Sequence, residues 1–89
     1  MKSLSTTAAE VYAPRSQDTI VRFSAGNFAS SAATVYIRPV NTRKPWILLE
    51  KTGTTSIKMI IPGGTQLEAY TDSGTADLTV LKECCTASE

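Results

Sequence analysis

Apolar and polar positions alternate along this chain in short runs, each closed off by a cluster of turn-forming residues. The longest patterned stretch spans residues 57–81. Ile57, Met59 and Ile61 alternate with Ser56, Lys58 and Ile60 until Pro62, Gly63 and Gly64 interrupt the run. Proline offers no N–H to a strand ladder and glycine accepts positive φ, so this cluster turns the chain. Residues 65–70 alternate again, Asp72, Ser73 and Gly74 form a second turn cluster, and residues 76–81 alternate once more. Period-two patterning between turns predicts half-buried antiparallel strands, here a leading strand followed by a hairpin or corner.

Upstream, residues 19–23 are β-branched and aromatic and predict a strand. A turn at 24–27 and a link of small residues at 28–32 follow. Residues 33–38 predict a second strand with Val35 and Ile37 inward and Tyr36 and Arg38 outward, ended or held at an edge by Pro39. A basic loop over 41–45 leads into residues 46–51, the most apolar run, which predicts burial on both faces. Residues 1–18 carry only Leu4, Val11 and Tyr12 as scattered apolar points among small polar residues. A single capped helical turn there would be marginal on its own. An extended N-terminal arm, able to add an edge strand, is the expectation. The polar residues after Leu81 predict a tail. Stacking or closure is what buries so many half-apolar faces, so the fold class expected is all-β, an antiparallel β-sandwich or small barrel of about six strands. Its parts would be the arm at 1–18, the β domain at 19–83 and a C-terminal tail at 84–89.

Composition narrows the class. Eighty-nine residues, 42% hydrophobic and 19% charged, suit one globular domain with a thin core. The net charge of +1 gives no bulk field to recruit nucleic acid or a membrane. Charge is uneven along the chain: six cations against Glu50 make +5 over 19–58, and five acids against Lys82 make −4 over 59–89. Interleaved strands would neutralise these locally. A two-sided molecule suited to head-to-tail packing is the alternative. No apolar run reaches the roughly 18 residues of a membrane span. Met1–Leu4 leads into Ser and Thr rather than an apolar leader core, so no secretory signal is expected. The two cysteines, Cys84 and Cys85, are adjacent, a geometry too strained for ready bridging, which favours synthesis in a reducing compartment.

Catalytic chemistry finds little to stand on. Histidine is absent, which removes the usual general base and the commonest metal ligand. Cys84 and Cys85 lack a second cluster to build a zinc site and lack an electropositive setting to activate a thiol. Asp72 and Asp77 flank a turn, which suits turn chemistry better than a calcium site. Pro62-Gly63-Gly64 lacks the Lys-Ser/Thr and helix of a phosphate loop. No enzyme, cofactor or metal is expected. Tyr36, Arg38, Arg43, Lys44 and Trp46 interleave aromatic and basic types, as single-strand nucleic-acid platforms do, but modules of that kind show a basic excess. The same types suit a protein interface.

The run Asn27-Phe28-Ala29-Ser30-Ser31-Ala32, followed by Ala33-Thr34-Val35-Tyr36-Ile37-Arg38-Pro39, resembles a segment of small β-sandwich virion proteins of tailed bacteriophages. Residues 61–80, from Ile61-Pro62-Gly63-Gly64 through the Ser73-Gly74 turn to Val80, resemble the ending of those proteins, with Gly63 where alanine is usual. The two segments cover about half the chain. The resemblance implies a non-enzymatic virion component: a capsid decoration (cement) protein, or a head, neck, tail or fibre accessory. It further implies the major capsid protein or another virion protein as partner, self-association, and a place on the capsid surface after synthesis in the bacterial cytoplasm. The contact residues expected are Val11, Tyr12 and Arg15 of the arm with Arg43, Lys44 and Trp46 of the basic loop. A carbohydrate- or single-strand-binding module, stacking ligand on Trp46 and the outward tyrosines, is the rival expectation.

Overall fold

A computed structural model describes residues 2–85. Eight strands follow in chain order: β1 (Lys2–Leu4), β2 (Ala9–Tyr12), β3 (Thr19–Gly26), β4 (Thr34–Pro39), β5 (Ile47–Glu50), β6 (Ser56–Ile61), β7 (Leu67–Thr71) and β8 (Ala76–Cys85). They form two four-stranded antiparallel sheets, ordered β1-β8-β3-β6 and β2-β7-β4-β5. Only β4 and β5 are both consecutive and paired; every other connection crosses from one sheet to the other. Two four-stranded sheets wound in this order make a jelly roll.

The strand count is therefore eight rather than six, and the turn clusters at 62–64 and 72–74 are corners between sheets rather than hairpin turns. Turn chemistry marks where a chain reverses but not which sheet it enters next. Gly64 and Gly74, at φ +83° and +70°, take the left-handed backbone these corners require.

The extended arm is not present. Lys2 and Leu4 pair with Leu78 and Ala76 of β8, while Ala9 and Tyr12 pair with Ala69 and Leu67 of β7. Leu4 and Tyr12 are 1% and 2% exposed, full members of the core. Each short edge strand has one deeply buried side chain, too few to show a period in sequence, which is why they read as scattered points. β1 and β2 are thus edge strands of the sandwich rather than an arm beside it. Likewise β8 runs on past Leu81 and pairs Cys84 and Cys85 with Ile20 and Thr19. Residues 86–89 of the expected tail lie outside the described residues.

The core follows the alternation. Val21 and Phe23, Val35 and Ile37, Leu67 and Ala69, Ala76 and Leu78 face inward from β3, β4, β7 and β8. Two buried threonines have their hydroxyls satisfied, Thr19 by the Gln17 carbonyl at 3.2 Å and Thr71 by that of Gly74 at 2.8 Å. The most apolar run departs from expectation: β5 is an edge strand with Ile47 and Leu49 inward and Leu48 and Glu50 outward. The uneven charge also finds its resolution here. β7 and β8 each pair on one side with a strand of the basic half, β4 and β3, and Arg38 of β4 meets Glu68 of β7 at 2.7 Å.

Asp72 ties a corner to the neighbouring strand. Its Oδ1 accepts the N–H groups of Ala33 at 3.0 Å and Thr34 at 3.1 Å, and those bonds hold its carboxyl below the ordinary carboxylate range. A pKa depressed by folding adds stability that is complete above the unfolded-state pKa and is lost as pH falls through the folded one. Thermal melts of the protein and Asp72→Asn should therefore differ by a constant margin near neutrality. That margin should shrink as pH drops below about 4. A pH-independent margin would show that the carboxylate charge is not what anchors the corner.

Candidate functional site

Three connections meet at one end of the sandwich: residues 13–18, 40–46 and 62–66. The Gly64 N–H donates to the Arg15 carbonyl at 2.7 Å, and the Gly63 N–H donates to Asp18 Oδ1 at 2.9 Å. A side chain at Gly63 would press on the backbone of Ser16 and Gln17 at 3.0–3.2 Å, so these two segments would have to part by a few tenths of an ångström to admit one. The Val40 N–H donates to the Gln66 carbonyl at 2.9 Å and joins the third segment. Asn41 turns that segment at φ +76°, a conformation asparagine tolerates better than most residues. Between the three lies an open cleft of about 330 Å³ whose walls include Pro14, Asn41, Trp46, Thr65 and Gln66.

Of the residues expected to make contacts, Arg15, Arg43 and Lys44 are exposed on these connections, and Trp46 stands 47% exposed where β5 begins. The fold brings these four to one end of the molecule although they span residues 15–46. Tyr12 is not among them: its ring lies in the core with Lys82 Nζ 5.8 Å above it. Val11 is half-buried and packs against that core. Asn41, Thr65 and Gln66 were not singled out by sequence, since nothing local marks a polar loop residue as lining a cleft built from three distant segments.

A second feature runs along one side. β5 and β6 are the edge strands of the two sheets on the same flank, with β3 packing over β5. Five large hydrophobic side chains are exposed among the described residues, and three lie on these two strands: Leu48 (53%), Ile57 (36%) and Ile60 (53%). The opposite flank is blunted, with a three-residue β1 and a register shift in β2 between Glu10 and Tyr12. Parity was the missed signal. Leu48 shares its face with Glu50, and Ile60 shares its face with Ser56 and Lys58, so both point to solvent.

The outer face of the second sheet is closed by its own contacts. Tyr36 and Tyr70 stack at 5.1 Å, and the Arg38 guanidinium lies 4.8 Å over the Tyr70 ring. The hydrogen bond to Glu68 raises the Arg38 pKa further, keeping this group charged. Asp77 accepts from Asn27 Nδ2 at 2.9 Å, so both acids of the considered calcium site have partners within the protein. Among the described residues no three His, Cys, Asp or Glu side chains converge on a common point. The chain matches no family model, no curated protein sequence and no solved structure.

Proposed function

We propose that this chain is a non-enzymatic structural protein of a bacteriophage particle, a capsid decoration protein that binds the major capsid protein and braces the shell. The observation that carries the reading is the β5–β6 flank, where Leu48, Ile57 and Ile60 are exposed on the edge strands of the two sheets. An unpaired strand edge offers a row of N–H and C=O groups to another chain. Exposed apolar side chains beside it supply the area term of binding. Strand addition at this edge would use both. A contact of about 800 Å² per partner suffices for a specific complex. The jelly roll hosts many functions and adds only compatibility.

Co-sedimentation with empty capsid shells tests the reading. The protein should pellet with shells and saturate at a fixed ratio to the capsid subunit. The double variant Leu48→Lys/Ile60→Lys should lose that binding by at least about tenfold, because each lysine head would have to be desolvated in the contact. Both positions are more than half exposed, so the thermal midpoint should stay nearly unchanged. Parent protein that stays in the supernatant removes the capsid partner. A variant that pellets like the parent removes the flank.

A further inference from the structure

We propose that the cleft at the loop end of the sandwich is a binding site for an acidic oligosaccharide. One sugar ring would lie on Trp46, with neighbouring carboxylates held by Arg15, Arg43 and Lys44. This assignment does not rest on the capsid reading, because the cleft lies between the loops and the flank runs along the strands.

Trp46 is the only tryptophan in the chain. Nearly half of it is exposed, yet its backbone N–H donates to the Ile37 carbonyl at 2.9 Å, so the residue is anchored at the mouth of β5 rather than carried on a loose loop. Among the described residues no other ring or cation stacks on it. A flat indole joins apolar faces to one N–H donor, matching a pyranose that presents a C–H face and a hydroxyl rim.

Pro14, Pro39, Val40 and Gly64 give the cleft apolar and backbone walls, and its polar side chains are amides and a hydroxyl: Asn41, Gln66 and Thr65. Such groups both donate and accept, as sugar hydroxyls require. Gln66 Nε2 donates to Glu10 Oε2 at 2.6 Å, which leaves the amide oxygen as its free acceptor. The Asn41 segment is pinned on both sides, by the Val40–Gln66 bond and by the Thr42 hydroxyl on the Pro39 carbonyl at 2.8 Å. A cleft fixed before binding loses little entropy on occupation.

Charge sets the class of sugar. No ionisable side chain lines the cleft, but Arg15, Arg43 and Lys44 are exposed on the segments around it, and among the described residues none of them has a carboxylate partner. Glu10, bonded to Gln66, and Asp18, bonded to Gly63, are the acids beside them, so three cations against two acids leave this end positive, and a neutral lining with that excess fits a chain of sugars bearing carboxylates. Single-stranded nucleic acid fits less well, because its platforms stack successive bases on several rings. Here there is one free ring, and Tyr36 and Tyr70 stack on each other.

Trp46 emission gives the readout. Trigalacturonate or sialyllactose should shift it saturably, with weaker binding as salt is raised. Isothermal titration should show Trp46→Ala weakening binding by at least about tenfold. Asn41→Gly should weaken it severalfold while keeping the left-handed turn. Circular dichroism melts of both variants should match the parent. Absence of a saturable response to both acidic probes overturns the proposal, as does undiminished binding by Trp46→Ala. Equal binding of maltotriose overturns the acidic class, and an equal response to oligodeoxythymidine reassigns the cleft to nucleic acid. Shell co-sedimentation reads Leu48 and Ile60 instead, so either reading can fail without the other.

Discussion

Deletion of residues 1–12 is expected to abolish the cooperative thermal transition. The segment holds β1 and β2, and with them Leu4 and Tyr12, both fully buried. Truncating a buried leucine to alanine costs about 2–5 kcal/mol and a large aromatic about 3–5 kcal/mol. Those two losses alone come to roughly 5–10 kcal/mol. A domain of this length is stable by only about 4–13 kcal/mol, at roughly 0.05–0.15 kcal/mol per residue. The deletion also strips the outer neighbours from β7 and β8 and leaves a ten-residue strand, β8, as a new edge. Long bare edges pair with other chains, so the shortened protein should aggregate. Circular dichroism and light scattering on the purified variant decide the matter. A soluble variant melting at the parent temperature would mean that these strands are an appended arm after all.

The parts of the fold legible in sequence are those where one strand carries several buried side chains. β3, β4, β7 and β8 each display the alternation, and Val35 and Ile37 point inward as their spacing predicts. β1 and β2 were hidden because each has one deeply buried residue. β5 was misread for the opposite reason. Four apolar residues in succession look like a strand covered on both faces, whereas Trp46 and Leu48 stand on the solvent side of an edge. The connection pattern was not legible at all, since a Pro-Gly-Gly corner and a hairpin turn use the same residues. The cleft shares that difficulty. Arg43, Lys44 and Trp46 stood out by type, but Thr65 and Gln66 join them only because β6 and β7 lie in different sheets and their corner packs against residues 13–18 and 40. Topology made the site; local sequence supplied one wall of it.

Position within the sandwich should also set the size of the second large effect, Phe23→Ala. β3 lies between β8 and β6, and Phe23 sits opposite Val80 on one side and Ile57 on the other. Its side chain is wholly enclosed. Removing it leaves a cavity that two flanking strands must hold open, so the cost should be about 3–5 kcal/mol. For a domain of this size that lowers the thermal midpoint by about 12 °C or more. Ile57→Ala, made directly opposite on the edge strand β6, removes a side chain already 36% exposed and should cost under about 2 kcal/mol. Urea unfolding of both variants and their double gives the comparison. The double should fall short of the sum, because with Phe23 gone Ile57 has already lost its cross-strand neighbour. Equal losses from the two single variants would contradict a core centred on β3. They would mean that the β5–β6 flank, where Ile57 lies, is packed as tightly as the interior and is no free surface for a partner.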